Sequence, residues 1–276
     1  MSQIGSQSIE SLLKIMEKLR DPESGCPWDV RQTYKTIVPH TLEEVYEVID
    51  AIENGEVADL REELGDLLFQ IVFYAQIGKE RNDFDFDDVV NSISDKLIRR
   101  HPHVFDRNNT NQSLNENELS TSWDAIKKDE RQQKLDNGND QSQDMQSQMD
   151  NIPLVLPALT RGAKIQNRAA KVGFDWQTVE PVWEKLKEEV AEIHEAINEN
   201  LGQDKIEDEV GDLLCVCVNL ARHLKVDPEQ ALRRSNSKFE RRFRYIESCL
   251  MLKNKTAEEA SLEEMDALWE EAKKHE

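Results

Sequence analysis

Lys187-Glu-Glu-Val-Ala-Glu-Ile-His-Glu195, followed by Glu209-Val-Gly-Asp-Leu-Leu214, is the stretch on which the reading of this chain turns. As a helix, the first segment projects Glu188, Glu189, Glu192 and Glu195 from roughly a third of its circumference, because successive residues rotate by about 100°. The second places Glu209 and Asp212 one turn apart and then runs into Leu213 and Leu214, which are expected to be buried. Carboxylates that run into an apolar flank are unfavourable unless a cation neutralises them.

The pattern occurs twice. Leu42-Glu-Glu-Val-Tyr-Glu-Val-Ile-Asp50 precedes Glu63-Leu-Gly-Asp-Leu-Leu68. Glu43, Glu44 and Glu47 match Glu188, Glu189 and Glu192 at an offset of 145, and Glu63 and Asp66 match Glu209 and Asp212 at an offset of 146. Two acidic stripes with one spacing and one Gly-Asp-Leu-Leu ending indicate a duplicated module.

The 276 residues suffice for two domains with cores of their own. With 35 basic and 56 acidic residues the net charge is −21, which argues against a nucleic-acid backbone or an anionic membrane as the main partner. Ten glycines and eight prolines, set against abundant Glu, Lys, Leu and Ala, favour an all-α fold. No apolar run approaches membrane-spanning length, and the N-terminal apolar residues have helical spacing rather than the continuous core of a signal peptide. Cys26, Cys215, Cys217 and Cys249 form no Cys-x-x-Cys pair and read as reduced thiols of a cytoplasmic protein.

Caps and apolar spacing predict helices over 8–20, 41–53, 57–79, 85–100, 157–171, 181–199, 205–224, 227–243 and 262–274, with a further helical stretch holding Trp123, Ile126 and Lys127. Residues 21–28 read as a loop, and Leu60, Leu64, Leu67, Leu68, Ile71 and Val72 are expected to point inward. The Asn, Gln, Ser and Asp residues of 136–151 lack the apolar area to offset ordering. The organisation expected is an N-terminal module over 1–135, a polar linker over 136–152 and a C-terminal module over 153–276, both modules helical bundles.

Glu189 and Glu192 on one helix, with Glu209 and Asp212 on the next, are placed to meet across a bundle core. Oxygen-only donors select Mg²⁺ or Mn²⁺. Glu44, Glu47, Glu63 and Asp66 would form the second such site. An acidic helix face is more often simply solvated, and Thr41-Leu-Glu-Glu44 also reads as a capping box that would account for Glu44. Leu186 occupies the Thr41 position in the second copy, so that explanation does not carry over, and the duplication favours the metal. Lys238 and Arg242 share one helical face, as do Lys96 and Arg100, and basic side chains beside metal-bearing carboxylates suit a polyphosphate. Trp269 is a candidate to stack on a base, although a helical Trp more often belongs to the core.

Gly-Cys-Pro-Trp-Asp (25–29), Thr-Leu-Glu-Glu-Val-Tyr-Glu-Val (41–48), Glu-Leu-Gly-Asp-Leu-Leu-Phe (63–69), Arg-Arg-His-Pro-His-Val-Phe (99–105) and Lys-Phe-Glu-Arg-Arg-Phe (238–243) resemble the MazG family over nearly the whole chain. The resemblance implies the all-α nucleoside triphosphate pyrophosphatase fold and a homodimer. It also implies Mg²⁺-dependent hydrolysis of nucleoside triphosphates to monophosphate and pyrophosphate, with a role in nucleotide-pool housekeeping and starvation signalling. By position it assigns the metal to Glu189, Glu192, Glu209 and Asp212, and nucleotide contacts to Lys185, Lys205, Lys238, Arg242 and Trp269. Glu188 is the candidate to orient or deprotonate the attacking water. The N-terminal copy has His40 and Asp59 where the C-terminal copy has Lys185 and Lys205, so the C-terminal module is expected to do most of the hydrolysis. Two other classes stay open: a non-catalytic nucleotide or metal sensor, and a helical scaffold docking a basic or GTPase partner.

Overall fold

The computed structural model describes residues 8–55, 57–105, 126 and 147–275. Trp123, Lys127 and residues 136–146 of the expected linker lie outside these. The chain divides into two compact units, Met1–Gln141 and Ser142–Glu276. Among the described residues there are eleven α-helices, one short 3-10 turn and no strand.

In the N-terminal unit these are α1 (Ile9–Leu19), α2 (Pro27–Arg31), α3 (Tyr34–Asn54), α4 (Val57–Arg81), α5 (Phe86–Arg100) and α6 (Pro102–Phe105). α3 and α4 form an antiparallel hairpin turned at Gly55, whose φ of 77° lies in the left-handed region that glycine enters without penalty. Met16, Ile37, Val72, Phe73 and Ile77 make the core between α1, α3 and α4.

That core explains where α3 begins. The sequence places its start at Thr41, after Pro39, whereas the helix opens at Tyr34 with a capping box between Thr33 and Thr36 and carries Pro39 inside it. Pro39 removes one backbone donor, but Ile37, only 1% exposed, holds the first turn in the core. Thr41 is therefore no cap; its hydroxyl donates to Ile37 O and meets the Tyr74 hydroxyl at 2.9 Å. The capping-box account of Glu44 falls with it. The loop over 21–28 likewise gives way at Pro27 to the short α2.

α4 is also buried differently from expectation. Val72 is inward, together with Gln70, Phe73, Ala75, Ile77 and Gly78, but Leu64, Leu68 and Ile71 are 49%, 37% and 40% exposed. The helix has two apolar stripes, and the unit covers only one of them. Arg20, nearly buried, ties the segment ahead of α3 to α4: it donates to Asp29 O, Gln32 O and both carboxylate oxygens of Glu80, and its guanidinium lies 5.1 Å from the Phe73 ring centroid.

The C-terminal unit holds α7 (Ala158–Lys171), α8 (Glu180–Asn198), α9 (Gln203–His223), α10 (Pro228–Leu252) and α11 (Leu262–Lys274). α8 and α9 form the hairpin equivalent to α3 and α4, with Gly202 at φ 95° in the turn. α7 packs on α9, with Gly162 facing Val218. Residues 147–151 form a turn whose carbonyls at Gln148 and Asp150 accept from Arg168, and Ile152 is buried. α10 continues nine residues beyond the expected Phe243, because Ile246 and Leu250 extend its buried face onto Leu268 of α11. Asn254, at φ 56°, then stops it, with the amides of Asn254 and Lys255 returning to Met251 O and Leu250 O. Arg222 and His223, at the end of α9, hold Asp175 in the loop before α8, with Arg222 Nη1 donating at 2.8 Å and His223 Nε2 at 3.2 Å.

The Arg222 hydrogen bonds, above all, hold the Asp175 carboxyl below its ordinary value of 3.8. A carboxyl lowered on folding stabilises the fold above its unfolded pKa, and that contribution is lost as pH falls through the folded value. Asp175→Asn is expected to weaken the C-terminal unit by about 1–2 kcal/mol at neutral pH and to flatten the decline in stability below about pH 4. Urea unfolding of the full chain at stepped pH measures both; parallel curves for wild type and variant would show that the contact does not act this way.

Candidate metal and phosphate site

Each acidic hairpin gathers three carboxylates. On α8 and α9, ligand oxygens of Glu189, Glu209 and Asp212 lie within 4.8 Å of one another, and on α3 and α4 those of Glu44, Glu63 and Asp66 do the same. The i, i+3 spacing of Glu209 and Asp212 sets both on the side of α9 that faces α8, and Glu63 and Asp66 repeat it on α4. Glu189 and Glu209 are 3% and 5% exposed, whereas Asp212 is exposed. The expected burial around Asp212 is only partial: Leu213 is half-buried, and Leu214 is 53% exposed.

Glu192 and Glu47, the fourth predicted ligand of each set, stand outside the 4.8 Å groups. Both remain close enough to be felt. Partial burial raises the Glu192 carboxyl, and Glu189 and Glu209 raise it further. Desolvation also raises Glu44 and Glu63, with Asp66 and Glu47 adding repulsion at each. Both hairpins thus hold carboxylates closer together than their charges favour.

In the C-terminal unit two lysines answer that repulsion. Lys185 Nζ lies 2.7 Å from Glu189 Oε1 and 3.0 Å from Glu188 Oε1, and Lys205 pairs with Glu209. Hydrogen bonds to Glu189 raise the Lys185 ammonium above its ordinary range, and Glu209 raises Lys205. Glu188 is exposed and engaged with Lys185. The other oxygen of Glu189, Oε2, is buried and has no hydrogen-bond partner among the described residues. An orphaned, buried carboxylate oxygen on a residue of an all-oxygen donor set fits a hard divalent ion.

The remaining predicted contacts form a second group. Arg242 lies over the Trp269 ring at 5.2 Å, and Phe239 approaches the same ring at 5.0 Å. Trp269 packs against the Ile246, Leu250 and Leu268 cluster, so the expectation that a helical Trp belongs to a core is met here. Lys238 is exposed one turn before Arg242 on α10. Lys96 and Arg100 lie at half-buried positions one turn apart on α5, which packs on α4. Sequence reading missed Gln70: it is 4% exposed, and its Nε2 donates to Glu44 Oε1 at 3.2 Å. A glutamine one turn past Asp66, where the C-terminal copy has Val216, was the available signal.

Fold and site together define a class: a duplicated all-α module in which each helical hairpin presents carboxylates suited to a hard divalent ion. A family model, the MazG nucleotide pyrophosphohydrolase domain, matches residues 32–105 and again 177–246, one span on each acidic hairpin. The chain is 49% identical over 269 residues to a nucleoside triphosphate pyrophosphohydrolase of Escherichia coli strain K12, covering 97% of this chain and 98% of that one. It is 42% identical over 264 residues to the nucleoside triphosphate pyrophosphohydrolase/pyrophosphatase MazG of Thermotoga maritima, covering 96% and 95%. A crystal structure of a mazG-related protein from Thermotoga maritima matches 43% of this chain and 98% of its own, with 27% identity and a TM-score of 0.37. This chain belongs to the MazG nucleotide pyrophosphohydrolase family.

If the lysines balance the acid cluster, Lys205→Met should lower the unfolding temperature of the protein in chelator by about 4 °C, because Glu209 keeps its buried charge without its partner. Mg²⁺ should recover most of that loss. Calorimetry of wild type and variant, with and without the ion, provides the comparison; a loss that Mg²⁺ does not recover would mean that Lys205 only packs.

Proposed function

We propose that the chain is a nucleoside triphosphate pyrophosphohydrolase that releases a nucleoside monophosphate and pyrophosphate. The observation that carries this is the convergence of Glu189, Glu209 and Asp212 with Lys185 and Lys205 seated on the same carboxylates. The names of the relatives point to the same activity. Glu189, Glu192, Glu209 and Asp212 would hold Mg²⁺, with Mn²⁺ as a substitute. The ion would supply positive charge against the triphosphate and acidify water.

The protein's own groups do the rest. Lys185 and Lys205 leave their carboxylates for the phosphates, and Lys238 and Arg242 approach the chain from α10. Trp269, half-buried beside Arg242, would meet the base with the part of its ring that the core leaves exposed. Glu188 orients the water and accepts its proton as the water oxygen bonds to the α-phosphorus. The α–β bridging bond breaks, and its electron pair leaves with pyrophosphate. The N-terminal unit, with His40 and Asp59 in place of the two lysines, contributes less to turnover.

A homodimer accounts for the second apolar stripe of each hairpin. Leu64, Leu68 and Ile71 on α4, and Leu42, Val45 and Tyr46 on α3, are exposed. Val190 and Ile197 on α8, and Val210 and Leu214 on α9, repeat the pattern. Two helices cannot enclose a bundle core; two hairpins can. No helix of the described residues is long and apolar enough to cross a membrane, and the reduced cysteines and family role accord with a cytoplasmic housekeeping enzyme.

Product-resolved hydrolysis over a panel of NTPs and dNTPs with Mg²⁺ should yield pyrophosphate. Glu209→Gln should reduce the rate by about 10²-fold or more, and Glu63→Gln by far less. Orthophosphate as the product would move the cleavage to the γ-phosphorus, and equal losses would remove the ranking of the two units. Sedimentation equilibrium should give about twice the 32.0 kDa of one chain, and Leu64→Glu with Leu68→Glu should shift it toward the monomer.

A further inference from the structure

The two carboxylate sites share a frame, and three of the positions at which they differ bear on their charge and donors. In the C-terminal unit, Lys185 and Lys205 pair with Glu189 and Glu209. At the matching positions of the N-terminal unit, His40 turns to Glu43 at 3.8 Å and to the Trp28 ring at 5.6 Å, while Asp59 adds a carboxylate one turn before Glu63. Neither position supplies an ammonium to the cluster. The third difference lies one turn past the aspartate. Val216 is apolar and 8% exposed, and its counterpart Gln70 is 4% exposed. The sister copy shows that an apolar side chain packs at this place, so packing alone does not call for glutamine.

The Gln70 carboxamide is turned into the cluster, with Nε2 donating to Glu44 Oε1 at 3.2 Å. Its oxygen, Oε1, is buried and has no hydrogen-bond partner among the described residues. A buried acceptor on a carboxamide that touches the cluster through Glu44 has only a cation or a donor to gain from. Amide oxygens are ordinary ligands of hard divalent ions.

We infer that the N-terminal cluster is a site for a free divalent cation, filled without nucleotide, in which Gln70 adds a neutral oxygen to Glu44, Glu63 and Asp66. This rests on the reading that these carboxylates bind a divalent ion. The contrast with the C-terminal unit follows from charge. There an incoming ion must displace two ammonium groups, which the phosphates of a nucleotide can draw away, so ion and triphosphate enter together. In the N-terminal unit no ammonium is paired with Glu44 or Glu63 among the described residues. The first site therefore fills at lower ion concentration, and the second fills when substrate arrives.

Mn²⁺ titration of the full chain, followed by loss of the free-ion paramagnetic resonance signal, tests this with and without a triphosphate analogue that carries a non-hydrolysable α–β bridge. Without nucleotide, one tight class of Mn²⁺ is expected. It should survive Glu209→Gln, vanish in Glu63→Gln and weaken by about tenfold or more in Gln70→Met. Gln70→Val, which copies the residue of the sister site, should weaken it likewise, and unfolding curves in chelator identify whichever variant keeps its fold. With the analogue, a second class that depends on Glu209 should appear. Wild-type affinity in a folded Gln70 variant would overturn the role of Gln70. A tight class lost in Glu209→Gln but kept in Glu63→Gln would overturn the order of filling. Either result leaves the hydrolase reading standing, whereas no Mn²⁺ bound with or without nucleotide would defeat that reading and this inference together.

Discussion

Three carboxylate oxygens held within 4.8 Å on a two-helix hairpin are the constraint to which the rest of this protein answers. Helices α8 and α9 are stiff elements that carry Glu189 and Glu209 into nearly buried positions, where water cannot fully solvate them. Like charges at such a distance repel strongly once the local dielectric falls. The hairpin is tolerable only with positive charge supplied, and the lysines stand one turn before the glutamates they serve, at i and i+4. In a chain of net charge −21 this local neutralisation is specific, because the surroundings are acidic as well.

Each unit also fixes the segment that leads into its acidic hairpin, by unrelated means. In the N-terminal unit Arg20 gathers two carbonyls and the Glu80 carboxylate. In the C-terminal unit Asp175 is the acceptor, and α9 supplies the donors, Arg222 and His223. Both clamps sit next to a tryptophan, Trp28 one residue before Asp29 and Trp176 one residue after Asp175. The duplicated hairpin was kept, while its approaches and the residues around its carboxylates diverged.

Legibility from sequence followed how local the determining physics is. α11 was read to the residue at both ends, because Ser261 caps it and its buried face is periodic. The turn at Gly55 follows from backbone geometry, whereas Gly202, which takes the same role between α8 and α9, is a turn that only the structure shows. Pro39 argues for a boundary before Thr41, and only the burial of Ile37 in a non-local core moves the start back to Tyr34. Hydrophobicity reveals a stripe without revealing which body covers it, so the expected inward set includes Leu64, Leu68 and Ile71, which their own unit leaves exposed. The site divides in the same way. By spacing the repeat predicts Glu44, Glu47, Glu63 and Asp66 with Glu189, Glu192, Glu209 and Asp212, and the structure brings three of each four together, leaving Glu47 and Glu192 outside. Gln70 escaped notice because an amide in an apolar run gains meaning only once Glu44 is seen beside it.

The pairing of lysine with carboxylate suggests why such a site would be acidic and basic at once. A purely acidic cluster would hold a cation firmly and repel a triphosphate. A purely basic one would take the phosphates and leave the ion in solution. With Lys185 and Lys205 seated on Glu189 and Glu209, each charge is neutralised by the other, and ion and phosphate together are what can exchange both partners. Binding energy is then drawn chiefly from the pair rather than from either component. The N-terminal unit has His40 and Asp59 where the two lysines stand, so under the proposed function its ion would not be tied to the nucleotide in this way, and the amide of Gln70 contacts Glu44 in their place.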